Sequence, residues 1–561
     1  MKLFQQLLVA PAALGLLAPV AASAAELNIN GVSDYAASGE QVTSISQFSD
    51  VYPTDWAYQA LNNLIERYGC VAGYPNGTYR GQRAMTRFEA AALLNACLDR
   101  VTEVTDELKR LMAEFEKELA ILKGRVDGLE ARVGELEATQ FSTTTKLKGE
   151  TTFVMGAVNA GGDNGSPTNT LSFSSKGTAG GADAYNRNYG AFTFNYDQRL
   201  AFNTSFTGKD KLYARLRAGN FDNNNVFDGK GVNLTKLDIA EATKNSVVLD
   251  RLYYKFPVGK EFTVIAGALA RNTESLALWP SVYNKGGAKI LDWTALMGTS
   301  GVYNKETGQL IGAYWKQKVK KGSNAFSVSV NYVADDEKGN SSNSSTGGFM
   351  TDNSQASFLA QLGYGGPQWG LAFAYRYGQC DSGNGYRRGT EFAKNGNWNN
   401  PCWYTDTNKD TVRSGSSANS YALNAYWQPK NAGWIPSVSL GWGINQTTTS
   451  NKTEGSAVTT QSWMAGLKWD DVFLKGNDLG FAFGQPTFAT ALKGGGTPFD
   501  GNYAFELYYN FQVTDNIAIT PALFYLSRPM GQYTSNLVKD GSGYDGSFNV
   551  FGGLVQTTFK F

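Results

Sequence analysis

Histidine is absent from all 561 residues of the chain. With no imidazole there is no Ser-His-Asp or Cys-His catalysis, no His-ligated zinc and no side chain of ordinary pKa to shuttle protons near neutrality. Cysteine is scarce, at four residues, and neither Cys70 with Cys97 nor Cys380 with Cys402 looks catalytic. An excess of charge is missing too: the formal net charge is +1, which argues against nucleic acid as a partner. After residue 24 no stretch offers about 18 consecutive apolar residues, so no transmembrane helix is expected. A secreted soluble protein and a membrane β-barrel both satisfy these exclusions.

What is present begins with a leader. Residues 1–24 combine Lys2, a run rich in Leu, Ala and Val, and Ala22-Ser23-Ala24, the pattern of a signal peptide cut after Ala24 or Ala25. The mature chain then starts outside the cytoplasm, where disulfides are permitted. Four cysteines allow three connectivities; the local pairings Cys70–Cys97 and Cys380–Cys402 are expected, with free buried thiols as the alternative for the first. The run Asp222-Asn223-Asn224-Asn225 with Asp228 offers oxygen ligands but lacks EF-hand spacing and reads as a polar loop. No metal and no cofactor is expected.

Residues 98–140 carry a seven-residue apolar repeat. Leu98, Thr105, Met112, Leu119, Val126 and Val133 occupy one seam position, and Val101, Leu108, Phe115, Leu122, Leu129 and Leu136 the other, broken only by Thr105. This predicts a coiled-coil stalk, roughly 60 Å long at 1.5 Å per residue. Glu118 with Lys123, Arg125 with Glu130 and Arg132 with Glu137 pair opposite signs where neighbouring parallel chains meet, which favours a parallel homo-oligomer over a single helix packed on its own protein. The rod separates a small head from a large body.

In the head, Thr54 can cap a helix whose apolar residues Trp56, Ala60, Leu61, Leu64 and Ile65 recur at helical spacing, and Gly69 can end it. The turn Tyr74-Pro75-Asn76-Gly77 follows, then the capping box Thr86-x-x-Glu89. With FSDV and a following Trp, GYPNGT and a following Arg, and TRFE in that order, residues 47–99 resemble the S-layer homology (SLH) domain family. The resemblance implies attachment to peptidoglycan-linked anionic polysaccharide, with Arg87 in the position of the ligand-contacting arginine and Gly77 in that of the turn glycine. Asn76, Phe88 and the single copy depart from the family pattern; three heads from three chains would replace the missing copies, so a homotrimer is expected. Physically, Thr86 and Glu89 are engaged by the cap, which leaves Arg87 exposed with a bidentate guanidinium suited to carboxylate or phosphate. An arginine paired with a nearby acid is the alternative from the residues alone.

The body, residues 141–561, alternates apolar and polar positions in short runs broken by turn clusters. Tyr503, Phe505, Leu507, Tyr509, Phe511 and Val513 share one face, while Glu506, Tyr508, Asn510 and Gln512 share the other, as in a sheet between two solvents. Hairpin counting gives sixteen strands, the first near 145–158 and the last near 549–561, joined alternately by short and long connections. An outer-membrane β-barrel of about sixteen antiparallel strands is therefore expected, closed because lipid cannot satisfy an open sheet edge. A soluble sandwich would need far fewer strands.

This body looks like the bacterial porins, and the order of leader, single SLH module, coil and barrel ending in Phe561 resembles the major outer-membrane porins of cyanobacteria. The resemblance implies a barrel in outer-membrane lipid with the head and coil in the periplasm. It further implies a water-filled channel for passive diffusion of small hydrophilic solutes and inorganic ions, without enzymatic activity, and a third long loop, Leu269 to Gly308, folded into the lumen. That loop carries Arg271, Glu274, Lys285, Lys289 and Asp292. Arg199, Lys211, Arg215, Arg217, Arg251 and Lys255 fall on the less apolar faces of strands two to four and, with Arg271 and Lys289, are the expected pore-lining cations. Together they would form a basic wall favouring anions or neutral solutes, unless they lie near the rim and pair with loop acids. Three other readings stay open: a wall tether with a largely closed lumen, a channel selective for carbohydrate or iron, and an enzyme confined to paired-carboxylate chemistry.

Overall fold

The computed structural model describes residues 44–55, 58–69, 71, 77–81, 144–164, 180–222, 224–284, 289–380, 387–398, 403–405, 411–413, 416–448 and 454–561. The leader, Trp56, Cys70, Arg87, Cys97, Lys285, Cys402 and the predicted coil lie outside them. The chain divides into two units, Met1–Thr139 and Gln140–Phe561.

In the first unit a helix, Tyr58–Asn63, widens into a π-helical turn, Leu64–Tyr68, and ends on Gly69 at φ 59°, a left-handed cap that glycine adopts without strain. The helix begins after Thr54, and the carboxylate of Asp55 accepts the Tyr52 N–H at 2.8 Å. Ile45, Phe48, Leu61, Ile65 and Val71 form the apolar core. The FSDV segment pins the glycine turn: Ser49 N–H donates to the Gly77 carbonyl at 3.0 Å, and Asp50 accepts the N–H groups of Tyr79 and Arg80 at 2.6 and 2.5 Å. Gly77 sits at φ +71°, a conformation that disfavours a side chain.

The second unit is a closed barrel. Its strands are β1 (Thr145–Gly162), β2 (Thr193–Thr204), β3 (Lys211–Gly219), β4 (Val248–Val258), β5 (Phe262–Arg271), β6 (Thr307–Lys316), β7 (Ala325–Asp335), β8 (Ser357–Gly365) and β9 (Trp369–Gln379). After a small separate hairpin, β10 (Trp403–Thr405) and β11 (Thr411–Arg413), the wall resumes with β12 (Ser417–Trp427), β13 (Ser437–Thr448), β14 (Ala457–Asp470), β15 (Asp478–Leu492), β16 (Tyr503–Thr514), β17 (Ile517–Ser527) and β18 (Phe548–Lys560). Sixteen strands pair antiparallel with their neighbours, and β1 closes on β18 from Glu150↔Lys560 to Gly162↔Phe548. One end carries short turns such as 259–261, 366–368 and 515–516. The other carries loops L1 (163–192), L2 (220–247), L3 (272–306), L4 (336–356), L5 (380–416), L6 (449–456), L7 (493–502) and L8 (528–547).

The two-residue period decides which side chains meet which solvent. On β16, Phe505 and Leu507 point outward and are exposed, while Ala504, Glu506 and Tyr508 point inward and are buried. Phe153 lies edge-on to both Phe194 and Phe559 across three neighbouring strands on the outer face. At the closing seam, Gly149 and Phe561 exchange backbone hydrogen bonds, and the terminal ring lies where a Cβ on residue 149 would be, 2.2 Å from Phe561 Cε2.

The interior is not uniformly wet. Val154, Val158, Met464, Phe524, Phe548 and Leu554 line the inner face of β1, β14, β17 and β18, and bury Phe221, Phe227, Leu237, Leu291 and Trp293 from L2 and L3. Each such large side chain contributes about 1.5–3 kcal/mol on full burial, so this sector of the barrel is a packed core. It holds L2 and L3 inside the barrel.

Candidate functional site

L3 leaves β5 at Arg271 and makes a single turn, Asn272–Ser275, which the Asn331 amide holds by donating to the Asn272 carbonyl and Ser275 Oγ at 2.8 and 2.6 Å. It then crosses the lumen. Val282 and Tyr283 N–H donate to Ser439 Oγ on β13, both at 3.0 Å. Beyond them lies Glu506 of β16, 1% exposed. Its carboxylate accepts from Tyr283 OH and Leu291 N–H at 2.7 Å each, and from Thr294 Oγ1 at 3.2 Å. No cation shares this carboxylate among the described ion pairs; the loop's own donors replace its water. Gly441 permits close approach where L3 returns, since a Cβ there would fall 2.0 Å from the Met297 carbonyl oxygen.

A second anchor is ionic and joins three loops. Asp292 of L3, 1% exposed, meets Lys305 at 2.5 Å and, from L5, Arg387 at 2.8 Å and Arg388 at 2.7 Å. Lys305 also holds Asp238 of L2. Burial opposes ionisation of Asp292, but Arg387, Lys305 and Arg388 hold its carboxyl well below the usual range. A short backbone pairing, Leu237 with Leu291, reinforces the contact between L2 and L3. Farther out, Asp500 of L7 accepts from Thr390 Oγ1 at 2.7 Å and from the N–H groups of Ala489 and Gln532 at 2.6 and 3.0 Å. Burial nevertheless pushes its carboxyl up to about 7.

Six of the eight expected cations gather on the inner face of β2–β4, and all of these but Lys211 meet an acceptor. Arg217 binds Asp197 at 2.6 Å, Glu241 of L2, and the Ile239 carbonyl at 2.9 Å. Arg199 spans Asp197 at 2.6 Å and Glu150 at 3.2 Å. Arg215 forks onto Asp250 at 2.7 and 2.6 Å. Arg251 touches the Asp250 backbone carbonyl and lies 3.8 Å from Glu274 of L3, whose own carbonyl accepts from Lys255 Nζ at 2.8 Å. Lys211 lies over the Tyr213 ring. Arg271 marks the exit of β5 into L3, and Lys289 is exposed on L3, its carbonyl reached by Gln556 of β18. Neither joins the ladder of paired charges. Below the ladder, towards the short turns, Lys148, Glu150, Arg199, Tyr213 and Arg215 line a cavity of about 530 Å³.

Asp250 is hidden from a simple reading of alternation, which puts it on the outer face opposite Arg251. A bulge between Arg215 and Leu216 pairs Arg215 with Arg251 and Leu216 with Leu249. Asp250 becomes the extra residue and turns inward.

A barrel with an inward-crossing third long loop beside a ladder of paired charges now meets its relatives. The family model described as carbohydrate-selective porin, OprB family, matches residues 103–561. The chain belongs to the OprB porin family. An uncharacterized protein of Nostoc sp. is 35% identical, covering 93% of this chain and 86% of that one. The solved Pseudomonas putida OprB covers 76% of this porin and 96% of its own chain, at 12% identity and a TM-score of 0.44. The S-layer homology domain model matches residues 47–91, and a region of 97 residues is 35% identical to the outer membrane protein SlpA of Deinococcus radiodurans, covering 16% of this chain and 8% of that protein. The protein is an outer-membrane porin with an SLH domain ahead of its barrel, a channel and not an enzyme.

In this porin Cys380 is buried at the end of β9 and disulfide-bonded. Asp228, from the polar run considered as a cation ligand, is instead paired with Lys236.

Proposed function

We propose that this porin passes small neutral polyhydroxylated solutes of the carbohydrate class by passive diffusion, with inorganic ions as accompanying traffic. The observation that carries the reading is the pairing on β1–β4: Arg199, Arg215, Arg217 and Arg251 alternate with Glu150, Asp197, Glu241, Asp250 and Glu274. A wall of bare arginines would select anions. Carboxylates interleaved at ion-pair distance cancel most of that bias and leave closely spaced donors and acceptors, which suit hydroxyl groups that both give and accept. The adjacent cavity carries the same mixture beside the Tyr213 ring.

We further propose that the head grips peptidoglycan-linked polysaccharide through Arg87 on a turn set by Gly77, that Cys380 pairs with Cys402 and Cys70 with Cys97, and that the functional unit is a homotrimer joined by the coil of residues 98–140. A tether with a closed lumen is the competing reading, favoured by the packed core between L2, L3 and the wall; measurable conductance in planar bilayers would exclude it.

The charge argument has a direct test. Neutralising Glu241 and Asp250 together (E241Q, D250N) unmasks Arg215 and Arg217, so reversal potentials in asymmetric salt should move towards anion preference. A potential unchanged from wild type would show that the ladder does not set the field in the pore.

A further inference from the structure

One hairpin at the short-turn end of this nearly neutral chain carries an unusual cluster of lysines. At the loop end, the connection between β7 and β8 carries Asp336, Glu337 and Asp352 against Lys338. At the short-turn end, the hairpin between β6 and β7 reads Lys316-Gln-Lys318-Val-Lys320-Lys321, and residues 316–323 are all exposed. Lys260, on the adjacent turn between β4 and β5, brings the cluster to five lysines. The one nearby carboxylate, Glu261, is committed to holding the hairpin: it accepts from Trp315 Nε1 at 2.9 Å and from the Lys318 N–H at 3.0 Å. Those bonds keep its carboxyl below the usual range, so it stays a fixed brace. Among the described residues none of the five ammonium groups is in an ion pair with a carboxylate. The tip is also ordered, with Gln317 N–H donating to the Phe326 carbonyl at 2.9 Å and Ser323 N–H to the Lys320 carbonyl at 3.0 Å.

Phe262, Phe326, Trp369 and Trp427 are exposed on the outer face at this end, as in the aromatic girdle that marks the edge of the hydrocarbon. Lys320 lies three residues past Gln317, which pairs with Phe326 of this girdle. At about 3.3 Å per residue along a strand tilted about 40°, the tip reaches up to roughly 8 Å beyond the girdle, just past a headgroup layer of roughly 5–7 Å. Short turns face the periplasm in such barrels, and the chain enters the barrel at this same end through Thr145.

We infer that the lysine hairpin of residues 316–323, with Lys260, is a second wall-contact surface that binds anionic polysaccharide carrying carboxylate or phosphate groups. Its reach beyond the headgroups favours a polymer in the periplasm over lipid phosphate. The inference relies on the proposed wall attachment only for the choice of probe, and the test holds the head constant, with its proposed contact altered, in every arm.

Full-length protein in detergent, carrying Arg87→Ala throughout, is applied at low salt to purified wall sacculi bearing their linked polysaccharide, to the same sacculi stripped of it by hydrofluoric acid, and to phosphatidylglycerol vesicles. Replacing Lys318, Lys320 and Lys321 together by glutamine should lower retention on intact sacculi about tenfold or more, since each lysine beside an anionic surface contributes a several-fold factor that salt removes. The corresponding triple arginine variant should retain binding, and both variants should conduct like wild type in bilayers, which shows that the barrel is intact. Equal retention of the glutamine variant, equal retention on stripped sacculi, or a loss confined to the vesicles would each overturn the inference, the last by reassigning the surface to lipid.

Discussion

Channels carrying Glu506→Ala should show a larger single-channel conductance and weaker discrimination among solutes than wild type. Glu506 is the point on the far wall where Tyr283, Leu291 and Thr294 converge. Hydrogen bonds to a charged group contribute about 1.5–3 kcal/mol each, so losing three weakens the docking of L3 by roughly 4.5–9 kcal/mol. Alanine also leaves the Tyr283 hydroxyl and Leu291 N–H buried without an acceptor, which drives the loop off the wall instead of letting it settle. Glu506→Gln keeps one acceptor oxygen and turns the other position into a donor facing the loop's donors; its effect should lie in the same direction and be smaller. A folded alanine variant with wild-type conductance would show that L3 is held without this carboxylate.

The second large effect is expected at Asp292. Removing it strands Arg387 and Arg388 in the space where L3 meets L5 and leaves Lys305 to Asp238 alone, and breaking a buried pair by deleting one partner typically costs about 3–5 kcal/mol. Asp292→Ala should therefore expose L3 and L5 to protease and speed amide exchange at Leu296 and Met297, whose N–H groups donate to the carbonyls of Asp292 and Thr294. The strands should keep their protection. The pH dependence follows from the sign of the shift. The folded carboxyl titrates well below the ordinary range, so its contribution is complete above the unfolded value of about 3.9 and is lost only as pH falls through the lower folded value. Wild-type loops should thus stay closed in mild acid, where the variant is already open.

Much of this architecture is legible in the sequence because a barrel wall obeys one rule. Two-residue alternation and turn chemistry suffice to place the sixteen wall strands and to separate short turns from long loops, though not to find the small β10–β11 hairpin inside L5, and the third long loop does cross the lumen. The head is legible at its described end: Gly69 ends the helix as its spacing implies. The arginines on β2 and β3 were legible, and their counter-charges less so. Asp250 depends on a bulge that alternation cannot anticipate, and Glu241 and Glu274 depend on how L2 and L3 fold back. Glu506 is visible as an acid on the polar face of its strand, but its role depends on contacts with residues 283–294. The packed core was not legible at all: Val154, Phe524 and Phe548 belong to inner faces that look available to water until Phe227 and Trp293 are brought against them.

The central claim is that water and neutral polyols share the passage beside the paired arginines. Osmotic swelling of liposomes containing the purified porin measures it most directly, comparing neutral monosaccharides with sugar acids of similar size. Neutral sugars should enter readily and faster than the acids, and Glu506→Ala should narrow the difference. Liposomes that fail to swell in neutral sugars, or that admit the acids faster, would contradict the account.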